Sequence, residues 1–81
     1  MLLKKIFSFL NGGNAQEKKG QVKFFNRKKG YGFILPENME EEVFVHASNL
    51  ESRIHKGDKV AFELMSSPRG LEARNVRVVE A

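Results

Sequence analysis

Along the chain the spacing of apolar positions changes once, near Gly20. Before it, Leu2, Ile6 and Phe9, and Leu3, Phe7 and Leu10, recur every three to four residues, with Lys4, Lys5 and Ser8 on the other side. That spacing predicts one short amphipathic helix over Met1 to Leu10. The stretch from Asn11 to Lys19 carries two adjacent glycines and no large apolar residue, and reads as a flexible linker. After Gly20 the period falls to two, with β-branched and aromatic residues enriched, which predicts strands. Five are expected, over Gln21 to Asn26, Tyr31 to Leu35, Val43 to His46, Lys59 to Met65 and Glu72 to Val79. No long helix separates them, so the connections predict an antiparallel sheet. Five short strands do best by curling into a barrel, which buries one face and removes open edges. The expected fold is therefore all-β: a five-stranded antiparallel barrel over residues 20–81, preceded by a helical or flexible extension over residues 1–19.

Alternation also sorts side chains between the two faces of each strand. Tyr31 and Phe33 share one face of the second strand, with Gly32 and Ile34 on the other; Phe44 and His46 oppose Val43 and Val45 in the third. The economical assignment puts Ile34, Val43 and Val45 inside, which leaves Tyr31, Phe33, Phe44 and His46 outside on neighbouring strands. The inverted register, with the rings as core, is open to strands that carry apolar residues on both faces. Exposed rings lose the benefit of dehydration unless something covers them, and nucleobases, each with a π face, are suited to do so.

Length, composition and charge restrict the chemistry. The chain has 81 residues, room for one small domain and an appendage. It has no cysteine, which removes disulfides, thiolate zinc sites and nucleophilic thiols, and fits a reducing cytoplasm, the expected location. The formal net charge is +4, but the excess is local. Residues 1–19 carry four lysines against one glutamate, and the rest carries ten Lys and Arg against nine Asp and Glu. Lys23, Arg27, Lys28 and Lys29 cluster, while Glu37, Glu40, Glu41 and Glu42 gather further on. Lys23, Lys28 and Lys29 are thus expected to neutralise a phosphate backbone beside the rings. His46, His55 and Ser48 form no nucleophile and base pair, and two histidines without ligand spacing make no metal site, so neither catalysis nor a cofactor is expected. The run from Ile6 to Leu10 is too short for a secretory signal or a membrane span.

Three blocks carry a resemblance. Lys23-Phe24-Phe25-Asn26, then Lys29-Gly30-Tyr31-Gly32-Phe33-Ile34, then Val43-Phe44-Val45-His46 resemble, in order and spacing, the signature of the cold-shock domain family. The last two look like that family's pair of ribonucleoprotein motifs. The likeness runs from Gly20 to about Val79 and includes Gly57 to Glu63 and Ala73 to Val76. It implies an OB-type barrel that binds single-stranded RNA and DNA on the outer face of its first three strands, as an RNA chaperone or cold-shock-type regulator. Carried over by position, the contact residues are Lys23, Phe24, Lys29, Tyr31, Phe33, Phe44 and His46, with Phe25 nearby and Arg69 in the last hairpin loop. The chain departs from the family in four places, one of them the loop from Pro36 to Glu42, which looks slightly longer and more acidic than theirs and is expected to repel phosphates along one edge. Bacterial members usually have tryptophan where this chain has Phe24 and often phenylalanine where it has Ala47. The connection from Ser48 to Gly57 is shorter than theirs and has no ring, which predicts a smaller footprint.

The resemblance does not reach Met1 to Leu10, whose six large apolar side chains need a surface to cover them. An anionic bilayer, a second copy of the segment and the domain's own aromatic face are the candidates. The alternative function is accordingly a protein- or membrane-tethering module that works through this segment, by weak self-association or membrane contact.

Overall fold

A computed structural model describes residues 16–80 and contains five strands, β1 (Gln16–Asn26), β2 (Tyr31–Pro36), β3 (Val43–His46), β4 (Lys59–Ser67) and β5 (Gly70–Glu80). A short 3-10 turn, Ala47–Asn49, follows β3. The amphipathic helix expected over Met1 to Leu10 lies outside the described residues. β1 begins at Gln16, so Gln16 to Lys19, read from sequence as linker, are strand, paired with Leu64 to Ala61. Their polar composition hides a strand because they are extended by the backbone ladder with β4, and burial of a face plays little part.

The strands close into a barrel in the order β1-β2-β3-β5-β4. Each pairing is antiparallel except β3 with β5, where Phe44 and Val45 lie parallel to Glu72 and Ala73. The expectation of a wholly antiparallel sheet is thus corrected, and the reason is parity. Directions that alternate around a ring return to their start only if the number of strands is even, so a closed ring of five contains at least one parallel pair. That pair falls at β3 and β5 because they are joined by the long path through residues 47–69, as a parallel connection requires.

β1 closes the ring by serving two neighbours. Its first part, Gln16 to Gln21, pairs with β4, and its second, Gly20 to Asn26, pairs with β2. The strand changes partners at Gly20, where a Cβ would stand 2.5 Å from the Leu35 carbonyl oxygen and 2.8 Å from the Pro36 Cα. Only glycine permits that approach.

Val22, Ile34, Val43, Val45, Val60, Phe62, Ala73 and Val76 fill the interior, each with no more than 1% of its surface exposed. The aliphatic assignment of β2 and β3 therefore holds, and the inverted register does not. The connection after β3 adds to the core as well. Ile54 is fully buried, and Leu50 bridges to Val76 and packs against the same cluster. Among the described residues no polar or charged side chain is buried, no helix is long and apolar enough to cross a membrane, and no three potential metal-ligating side chains gather.

Burial separates the roles of adjacent residues in β2. Ile34→Ala is expected to cost about 2 to 5 kcal/mol of stability, because it leaves a cavity in a closed interior. Phe33→Ala should cost much less, since its ring lies on the outer face. Thermal unfolding of the two variants checks this; equal losses would mean that the ring also supports the core.

Candidate nucleic-acid interface

Strict alternation from the buried Val22 would turn Phe24 inward as well. A β-bulge prevents this: Val22 pairs with Ile34 and Phe24 with Phe33, so Lys23 is an extra residue with no opposite number. The inserted residue reverses the sense of alternation, and Phe24 emerges on the outer face, 42% exposed. Phe33 in turn pairs with Phe44. Phe24, Phe33 and Phe44 thus form one row across three strands, and Tyr31 sits beside it. The Tyr31 ring centroid is 5.9 Å from that of Phe24, 6.0 Å from Phe33 and 5.9 Å from Phe44, the last pair stacked at 18°. Within the row the spacings are 6.4 Å and 6.0 Å.

Phe25 goes elsewhere. It pairs with Gly32 and packs against the core, half-buried, rather than joining the row. A Cβ on Gly32 would collide with the Phe24 carbonyl oxygen and lie 2.6 Å from the Phe25 ring. Gly32 therefore makes room for the neighbouring strand and for Phe25.

His46 pairs with Tyr31 across the strands and is exposed. Its Nδ1 accepts the Ser48 backbone N–H at 3.1 Å and lies 2.9 Å from Ser48 Oγ, which caps the 3-10 turn. With Nδ1 accepting, the neutral ring carries its proton on Nε2. A histidine chosen for its ring thus also ends the strand.

The basic residues are placed by two turns. Between β1 and β2, Asn26 holds the loop by accepting the Gly30 N–H on its carbonyl at 2.8 Å and the Lys29 N–H on Oδ1 at 2.9 Å, and Gly30 takes a positive φ of 75°. Arg27, Lys28 and Lys29 project from this loop, all exposed. In the β4–β5 hairpin, Ser67 Oγ accepts the Arg69 N–H at 3.2 Å, and Arg69 borders a hollow with Phe44, Leu71 and Glu72. Lys23, exposed at the bulge, completes the set. Among the described residues none of Lys23, Arg27, Lys28, Lys29 and Arg69 is in an ion pair. Other charged side chains do have partners: Arg77 pairs with Glu17 on β1, Arg74 with Glu72, which lies beside Phe44 in the ladder, and Asn75 donates to Glu63. The acidic loop with Glu37, Glu40, Glu41 and Glu42 leaves the opposite end of β2 from the basic turn. Charge clusters adjacent in sequence are held apart by the length of a strand.

Sequence reasoning did not find a second feature beside the basic turn. An open hollow of about 340 Å³ is lined by Phe25, Arg27, Ala47, Leu50, Glu51 and Arg53, among others. Arg53 and Glu51 stand in a connection without a motif, and no local signal marks them. Only Ala47, as a departure from the family pattern, pointed to the place.

A closed five-stranded barrel with an uncovered aromatic face on β2 and β3 defines an OB-type barrel. Within that class the chain belongs to the cold-shock domain family: the family described as the 'Cold-shock' DNA-binding domain matches residues 18–79. The chain is 46% identical over 61 residues to the major cold shock protein of Micrococcus luteus, covering 70% of this chain and 91% of that protein. It is 42% identical over 62 residues to the cold shock-like protein CspE of Escherichia coli K12, covering 72% and 90%. A solved structure of Drosophila Unr CSD456 has the same fold, with a TM-score of 0.68 at 16% identity, covering 89% of this chain and 30% of that one. The family's description is that of a nucleic-acid-binding domain.

The tight place at Gly32 yields a prediction. Gly32→Ala should destabilise the barrel by about 1 to 3 kcal/mol, because a methyl group meets backbone rather than a movable side chain. It should also shift Phe24 out of its row, seen as weakened Phe24 to Phe33 contacts by NMR. An unchanged melting temperature would mean that β1 yields freely at this point.

Proposed function

We propose that the chain binds single-stranded RNA and DNA by stacking successive bases on Phe24, Tyr31, Phe33, Phe44 and His46, and that it acts as an RNA chaperone. The observation that carries this reading is the uncovered ring cluster, bordered by basic side chains with no carboxylate partner among the described residues. Membership of a family described as DNA-binding supports it. Spacing favours single strands over duplex. Ring centroids about 6 Å apart cannot each receive a base from a stack with a rise of about 3.4 Å, so the strand must be splayed, and a duplex keeps its bases inside. Lys23, Lys28, Lys29 and Arg69 neutralise phosphates along the path, and Phe25 supports the platform from beneath. A protein that holds splayed bases without reading their edges opposes weak secondary structure in RNA, which is the work of a chaperone.

Two measurements test this reading. Oligo-U or oligo-dT of about eight nucleotides, within the site size of a single OB barrel, should bind at low salt, with log affinity falling against log salt by about 0.7 per phosphate neutralised. Phe33→Ala and Phe44→Ala should each weaken binding by about 1 to 3 kcal/mol in proteins that still fold. Absence of binding at micromolar protein, or variants that bind as well as the parent, would refute the stacking mechanism.

A further inference from the structure

The hollow beside Ala47 differs from the ring platform in kind. Its size, about 340 Å³, stands at the low end of the range of about 300 to 1,000 Å³ for small-molecule sites, a scale suited to one nucleotide and too small for a folded partner. The floor is apolar, with Phe25, Ala47 and Leu50, and charge is supplied by Arg27, Arg53 and Glu51. Among the described residues these three charged groups form no ion pair with one another or with any neighbour. The wall is also fixed in advance. Glu51 N–H donates to the Val76 carbonyl at 2.7 Å, Leu50 N–H to the Ala47 carbonyl at 3.2 Å, and Ser52 Oγ accepts the Val78 N–H at 3.0 Å. The hollow continues the aromatic face, since Ala47 follows His46 and its N–H donates to Gly30 at 2.8 Å, in the turn that carries Arg27.

We propose that this hollow is a base-selective subsite that takes one nucleotide at the end of the bound strand and prefers a base bearing an amino group, guanine foremost. The proposal rests on the single-strand reading above. An apolar floor accepts a base face, and two guanidinium groups attract the flanking phosphates. The Glu51 carboxylate is an acceptor only. It matches the adjacent N1–H and amino donors of guanine in bidentate fashion, whereas uracil offers one donor between two carbonyl oxygens that the carboxylate repels. The exposed rings are indifferent to base identity, so any preference at this end is attributable to the hollow. Ala47 is what leaves it open, because a larger side chain there would fill the space.

The test uses the full chain and a series of oligo-U strands of about eight nucleotides, each with guanine at one position. One terminal position should show a gain of about tenfold, the effect of a hydrogen bond to a charged group. Glu51→Ala should abolish that gain while oligo-U binding is retained. Arg53→Ala should reduce the slope of log affinity against log salt by about 0.7. Glu51 is exposed, and circular dichroism confirms that each variant folds. A parent protein indifferent to guanine at every position, or a gain that survives Glu51→Ala, would overturn the subsite while leaving the platform intact. Failure of oligo-U itself to bind the parent would instead remove the single-strand reading, and the subsite with it.

Discussion

The structure depends on how β1 is shared. A sheet of five short strands leaves two edges open unless it closes, and here a single strand supplies the closure by pairing with β4 along its first part and β2 along its second. Such a strand cannot remain straight. Gly20 admits the close approach at the change of partner, and the bulge at Lys23 restores register three residues later. Both irregularities shape the barrel. The bulge is what brings Phe24 onto the same face as Phe33, so the requirement to close the barrel and the assembly of the ring row are met by the same stretch of chain.

Stability and recognition are divided between the two faces of the same strands. Inside, small and branched aliphatic residues with Phe62 fill the barrel and no polar group is buried among the described residues, so the core is held by dehydration alone. Outside, the rings meet each other at tilted, edge and stacked geometries, worth about 0.5 to 1.5 kcal/mol a pair, and remain partly exposed. Because one set of residues does not serve both ends, the outer face can vary in its rings without loss of the fold.

All the charges of the described residues lie on the outside, and they differ in whether they are paired. The carboxylates of Glu17 and Glu72 engage Arg77 and Arg74, while the cations near the rings have no such partners among the described residues. Exposed pairs contribute little to stability, about 0 to 1 kcal/mol each. Their consequence is for the distribution of charge: these two arginines are matched by carboxylates, while the β1–β2 turn and Arg69 in the β4–β5 hairpin present cations without an ion-pair partner among the described residues. The weak overall charge therefore says less about an anionic partner than its distribution in space does.

Period-two alternation with regular turn signals was sufficient for the five strands and for the faces of β2 and β3, because burial of an aliphatic set is a local property of a strand. Val43 to His46 was legible to its ends, and the ring-bearing blocks with their spacing carried the family. Three features were not legible, each because it depends on contacts distant in sequence. Gln16 to Lys19 are strand only because β4 offers a ladder to them. The outward turn of Phe24, which the family resemblance implied, and the inward place of Phe25 depend on a bulge that alternation by itself does not encode. The hollow at Ala47 joins residues of β1, the turn after it and the connection after β3, which meet only when the barrel closes. Residue type and local spacing determined which side chains could bind and which could form a core; closure decided which of them stand together.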